Sequence, residues 1–341
     1  MQLSDFDFEL PEELIAQEPI KQRDQSRLMI VHRDIDRTEH KTFKDLLQYL
    51  QPGDVLVMND SKVLPARIYG EKVSTGAKIE VLLLRQISAN QWETLVKPGK
   101  RAKIGEILDF GSGKMKGKIV DHTDVGGRVI EFSCQEPFLQ VLEQIGSMPL
   151  PPYIKKPLTD KQRYQTVYAR QEGSAAAPTA GLHFTRELLE EIRNRGVSIV
   201  TVLLHVGLGT FRPVQVEDVT SHRMHEEYYE ITPQAAEEIN QAKLRGGRVI
   251  AVGTTSVRCL ETSSNEAGQV LPGSGFTDIF IYPGYQFKVI EGLVTNFHLP
   301  KSSLLMLISA LAGREKILKA YQQAVTEQYR FFSFGDAMLI I

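Results

Sequence analysis

From Leu64 to Ser133 the chain runs without a helical period. The stretch is a series of short apolar pieces, VLPARIYGEK, KIEVLLLRQ, QWETLVKP, EILDF, GKIVDH and RVIEFS, separated by Gly, Ser, Asn and Lys. Strand-like runs at this spacing predict a small antiparallel barrel or sandwich. On either side the pattern changes. RLMIV, DVLVM, SIVTVLLHV, RVIAV and TDIFIY are apolar at nearly every position, as in strands covered on both faces. Helical stripes alternate with them: Phe43, Leu46, Leu47 and Leu50; Leu188, Leu189 and Ile192 after Thr185; Ala235, Ile239 and Ala242 after Pro233; and Leu318, Tyr321, Val325 and Tyr329. The expected architecture is therefore α/β, a layered mixed-sheet main domain of residues 1–63 plus 150–341, with a small antiparallel β-barrel inserted at 64–149.

A chain of 341 residues is long for one core, which agrees with two units. Its net charge of −2 gives no global attraction to nucleic acid, so RNA binding would need a local patch. Lys97, Lys100, Arg101 and Lys103, with Lys114, Lys116 and Lys118, supply one on the barrel, opposed by Glu106 and Asp109. Cys134 and Cys259 form no CxxC pair, so neither a disulfide framework nor a cysteine zinc site is expected. MQLSDFDFELPEEL is acidic and lacks the apolar centre of a signal peptide. The apolar run Leu304 to Ala312 is far shorter than the roughly 20 residues of a membrane span. A cytoplasmic protein is expected.

Five segments combine small residues with side chains of catalytic type. SAAAPTAGLHFT carries His183 among alanines and Gly181, and its bareness suits backbone packed close to a ligand. HVGLGTFRPV follows an apolar strand and places Gly207, Gly209 and Thr210 directly after His205. The run lacks the GxGxxG fingerprint of a dinucleotide fold. SHRMHEEYYEI holds His225 and Glu226, candidates for a general acid or base. Its His222, His225 and glutamates do not have HExxH spacing, so no metal site is expected, and Glu227 reads as a solvated charge. In VGTTSVRCLE a strand ends at Gly253, and Thr254, Thr255 and Ser256 open a helix. Hydroxyls and free N–H groups there suit an anion, and Arg258 one turn on would add a donor fork. TNFHLP offers Asn296 and His298 in a turn. Each segment follows a strand, and ligands collect at the carboxyl ends of strands in open α/β sheets. The expectation is one cleft shared by His183, His205, His225 and His298.

RDQSRLMIVHR, GDVLVMNDSKVLPARIYG, AAPTAGLHFT, HVGLGTFRPV, MHEEYYEI, VGTTSVR, TNFHLPKSSLLML and YRFFSFGDAMLI occur in this order over almost the whole chain. Together they resemble the signature blocks of the S-adenosylmethionine:tRNA ribosyltransferase-isomerase family of queuosine biosynthesis. Asp60, Ser61 and Ser303 stand where the resemblance leads one to expect threonine. The resemblance implies an α/β domain with an inserted barrel. It also implies transfer and isomerisation of the ribosyl part of S-adenosylmethionine onto 7-aminomethyl-7-deazaguanine at the tRNA wobble position. The products would be epoxyqueuosine-tRNA, adenine and methionine. S-adenosylmethionine would be consumed as a substrate, with no metal or organic cofactor. Such chemistry needs a base for the C5′ proton beside the sulfonium, here His205 or His225. It also needs a partner for the departing adenine, His183 or His298. Thr254, Thr255 and Arg258 would hold the methionine carboxylate. Two alternatives share parts of this pattern: an S-adenosylmethionine-dependent RNA methyltransferase, whose glycine loop after the first strand is missing from HRDIDRTEH, and a non-enzymatic RNA-binding protein.

Overall fold

The structure is a computed structural model that describes residues 1–123, 126–207, 214 and 216–341, without the Arg101 side chain. A nine-stranded mixed sheet organises the larger part. Across it the strands run Gly273–Thr277, Glu227–Ile231, Ser198–Leu204, Val55–Asn59, Val249–Val252, Gly292–Asn296, Ala337–Ile340, Arg27–Val31 and Thr38–Thr42. The four from Ser198–Leu204 to Gly292–Asn296 are mutually parallel. Antiparallel pairs lie outside them. Val55–Asn59, Val249–Val252, Gly292–Asn296 and Ala337–Ile340 are buried at every position, which explains their unbroken apolar sequence.

Six α-helices are described: α1 Phe138–Ile145, α2 Arg186–Asn194, α3 Pro233–Leu244, α4 Thr254–Thr262, α5 Ser303–Ala312 and α6 Arg314–Thr326. Alternate strand residues feed opposite cores. Met29, Val31, Val55 and Val57 face α3, α4, α5 and α6. Leu28, Ile30, Leu56 and Met58 face α2 and the segment Phe43–Tyr49. Thr185 caps α2 by accepting from the Leu188 N–H at 3.1 Å, and Thr232 caps α3 by accepting from the Ala235 N–H at 3.2 Å.

The inserted barrel is closed and antiparallel, in the order Arg128–Cys134, Gln91–Lys97, Lys78–Gln86, Arg67–Lys72, Ile107–Phe110 and Met115–His122. Ile68, Val81, Leu83, Leu108, Phe110, Ile119 and Ile130 fill it, and α1 adds Val141 and Leu142. Closure removes the exposed edges that separate strands would carry.

Three expectations need correction. Phe43–Tyr49 is 3-10 helix rather than α-helix, although Phe43 and Leu46 are buried as its stripe requires. The edge strand is Gly273–Thr277, not TDIFIY. Its register ends where Thr277 meets Glu227, and Ile281 then turns into the core. Tyr329 lies beyond α6 but stays fully buried against Phe297.

Candidate active site

The carboxyl ends of the parallel strands meet two neighbouring cavities. The smaller, of about 230 Å³, is walled by Ala176 to Ala180, by Gly253 to Thr255 at the start of α4, by Thr295 to Ser302, and by Tyr153, Phe332 and Ser333. Bare alanines of SAAAPTAGLHFT bring the backbone to its edge. The larger, of about 820 Å³, lies between sheet and barrel. Leu64, Leu84, Trp92 and Phe138 line one wall, with Glu172, Gly173, His205, Gly207 and His225 to Tyr228 on the other. Val206 belongs to both cavities.

His205 is built from three directions. Its backbone N–H donates to the Tyr228 carbonyl at 2.9 Å, and its Nδ1 lies 2.9 Å from Ser61 Oγ. Ser61–Val63 and Gln171–Ser174 form a two-stranded parallel sheet beside it, which brings in Ser61 and Gly173. Gly173 has φ +143°, and a Cβ there would sit 2.7 Å from His205 Nε2. Glycine leaves room for the ring and permits that backbone. Burial lowers the His205 pKa, partly offset by Glu230. His225 and Glu226 are exposed at the mouth of the same cleft.

The expected single cleft for four histidines is not what the fold builds. His298 lines the smaller cavity, His205 and His225 line the larger, and His183 lines neither. His183 is buried behind Asn296, which donates from Nδ2 to His183 Nε2 at 3.1 Å. The His183 Nδ1–H donor therefore faces Ser26 Oγ at 2.7 Å, while the ring stacks on Phe43. Asn296 also donates to the Phe332 carbonyl at 3.2 Å and accepts from Thr179 at 3.3 Å. Burial pushes His183 down to about 4 and His298 down to about 3. Both rings are neutral at pH 7. His298 Nε2 lies 2.8 Å from Thr295 Oγ1.

At the start of α4, Gly253 adopts φ +84° and lets the strand turn directly into the helix. Thr254 and Thr255 face the smaller cavity, and the buried Thr255 hydroxyl has no hydrogen-bond partner among the described residues. Arg258 is a correction to the carboxylate-holding set, and Ser256 to the wider substrate-binding set. Ser256 is fully buried and donates to the Val252 carbonyl at 2.8 Å. Arg258, one turn on, points away from the cavity and is ion-paired with Glu227. Its remaining nitrogens reach the Ile279 and Thr277 carbonyls at 3.3 and 3.4 Å. A guanidinium spent in this way has no fork left for a ligand.

Glu227 is therefore not a solvated charge. It is buried, and Oε1 accepts from the Gly207 N–H at 2.8 Å while the other oxygen meets Arg258. It fixes the point where the glycine segment leaves the sheet. Period-two alternation with Ile231, the other buried residue of that strand, was the available signal. Ser26, Gly173, Tyr153 and Ser333 escaped sequence analysis, and Ser61 entered it only as a departure from the family pattern, because each matters only through residues distant in the chain. Gly209 and Thr210 lie outside the described residues.

Lys97 ends a barrel strand whose other end, at Trp92, faces the cleft. Lys100 and Arg101 follow in a short 3-10 turn and Lys103 is exposed beyond it. Glu93 and Leu95 of the same strand also line the cleft, so Lys97 stands only about 7 Å along the strand from it. Among the described residues no cluster of His, Cys, Asp or Glu is arranged to hold a metal ion.

Residues 3–340 match the family described as queuosine biosynthesis protein. Over its full length the chain is 64% identical to the S-adenosylmethionine:tRNA ribosyltransferase-isomerase of Pelotomaculum thermopropionicum and 60% identical to that of Symbiobacterium thermophilum, covering 100% of each. It is similar to the crystal structure of S-adenosylmethionine tRNA ribosyltransferase from Thermotoga maritima, at 39% identity and TM-score 0.57, covering 99% of this chain and 100% of that one. The chain belongs to the queuosine biosynthesis protein family.

Proposed function

We propose that the chain moves the ribosyl group of S-adenosylmethionine onto 7-aminomethyl-7-deazaguanine at the tRNA wobble position, giving epoxyqueuosine-tRNA, adenine and methionine. The observation that carries this assignment is the shared Val206 wall. It joins a smaller cavity walled by small residues, suited to a nucleoside, with a larger cleft between sheet and barrel, suited to an RNA base.

S-adenosylmethionine occupies the smaller cavity, with its C5′ toward Val206. Thr254, Thr255 and the free N–H groups of α4 receive the methionine carboxylate. The neutral His298 ring, beside Thr295, faces the adenine. His205, kept neutral by burial, removes the C5′ proton. The carbanion so formed, stabilised by the adjacent sulfonium, opens the sugar by breaking C4′–O4′, and the released oxygen becomes the C1′ aldehyde as adenine departs with a proton. The aminomethyl nitrogen of the tRNA base, entering past His225 and Glu226, adds to C4′ of the resulting vinyl sulfonium and loses a proton, and the C5′ carbanion this regenerates bonds to C1′ to close a five-carbon ring. The C1′ alkoxide then displaces methionine from C5′, breaking the carbon–sulfur bond and closing the epoxide. No electrons are gained or lost overall, so the sequence calls for no redox cofactor. His183 and Asn296 act indirectly, by fixing the turn that presents His298.

We assign residues 1–63 with 150–341 to catalysis and 64–149 to the inserted barrel. Lys97, Lys100, Arg101 and Lys103 would meet phosphates of the anticodon arm away from the reacting base. No helix among the described residues is long and apolar enough to cross a membrane, and a tRNA substrate places the enzyme in the cytoplasm. Mass spectrometry of digested tRNA tests the reaction. Epoxyqueuosine formed with equal adenine release is expected. A methylated nucleoside would instead indicate a methyltransferase, and binding without S-adenosylmethionine consumption a non-enzymatic RNA-binding protein.

A further inference from the structure

We infer that Phe276 and Tyr228 form a stacking platform for the nucleobase next to the one that reacts. Resting on the functional assignment above, this names how the RNA strand is held at the mouth of the larger cleft. Phe276 is 55% exposed on the edge strand Gly273–Thr277, where the preceding Ser274 and Gly275 are too small to cover its ring. It sits directly across the sheet from Tyr228. The two rings meet edge-on at 5.8 Å, and Tyr228 stacks over His205 at 6.0 Å with 25° between planes. All three line the cleft. The result is a continuous aromatic path from solvent to the proposed base.

A single exposed phenylalanine is ordinary, and a cross-strand aromatic pair also stabilises a sheet. Continuity with His205 separates this ring from a stray surface residue. The apolar ring faces select the occupant. Glu172 on the same wall is already paired with Lys62 at 2.7 Å, and Glu226 and Arg85 line the cleft with opposite charges, so the exposed aromatic surface suits a base face rather than a phosphate. Unpaired bases of single-stranded RNA are held by stacking on aromatic side chains, whatever their sequence.

The test uses the full chain with an anticodon stem-loop carrying 2-aminopurine, placed in turn immediately 5′ and 3′ of the modified position. Wild-type protein is expected to quench one of the two positions. Phe276→Ala should abolish that quenching and raise KM for tRNA roughly tenfold. Phe276→Trp should restore both, and KM for S-adenosylmethionine should stay unchanged, because Phe276 does not line the smaller cavity. A purely structural cross-strand pair would lower Tm without moving KM for tRNA. The inference is overturned if neither position is quenched, if Phe276→Ala binds tRNA as wild type does, or if both KM values rise together. Quenching without product would defeat the reaction assignment and leave the platform standing.

Discussion

At Gly173 a methyl group would land 2.7 Å from His205 Nε2, on a backbone with φ +143°. Gly173→Ala is therefore expected to displace the imidazole and lower kcat at least tenfold in single-turnover assays. The added backbone strain should lower stability by about 1–3 kcal/mol. An unchanged rate would show that His205 is not the base. His205→Ala should remove general-base assistance, roughly 10²-fold or more, in a chain that stays folded by circular dichroism. Ser61→Ala tests the same ring through its Nδ1 contact, where a threonine would supply the same hydroxyl. The three residues are far apart in the chain. Only His205, beside a strand and a glycine run, could be singled out from the amino-acid order.

Helix α4 has two chemical ends within two turns. Its first residues open onto the smaller cavity, while Arg258 ties its body to Glu227 and through it to Gly207. Thr255→Val separates ligand binding from folding. The hydroxyl lacks a protein partner, so a methyl in its place should leave Tm nearly unchanged. KM for S-adenosylmethionine should nevertheless rise several-fold; an unchanged KM would remove Thr255 from the binding set. Glu227→Ala has the opposite signature. It strands a buried guanidinium, and about 3–5 kcal/mol of stability should be lost in urea denaturation. The start and direction of α4 were legible, since Gly253 and three hydroxyls announce a capped helix. The turn of Arg258 toward buried Glu227 was not, because helical phase alone does not say which face meets the ligand.

Across the whole molecule, His183 and His298 are held neutral with pKa values of about 4 and about 3. Unfolded histidine titrates near 6.5, so the unfolded chain binds more protons below that pH. Stability is therefore full above about pH 6.5 and falls as pH drops toward 4, by up to about 1.4 kcal/mol per pH unit for each ring. Asp60 opposes this over part of the range, because burial raises its carboxyl pKa and the folded state then holds that proton. Urea titrations at pH 7, 6 and 5 should show a falling midpoint that Phe substitution at the exposed His225 does not remove. A flat profile would mean that the two buried rings are already solvated.

The division into a parallel-cored sheet and an inserted barrel could be read from the chain because it rests on local periodicity. Two-sided burial demands unbroken apolar runs, and turn residues at short intervals demand hairpins. The cap at Thr185 and the start of α3 at Pro233 followed for the same local reason. Pairings across long separations could not be read this way. Burial of Glu227 depends on Arg258, the seat of His205 on Ser61 and Gly173, and the distance of the lysine patch on the direction of one barrel strand. Each is a contact between segments whose sequences carry no mark of one another, so it existed only once the sheet and the barrel had closed around them.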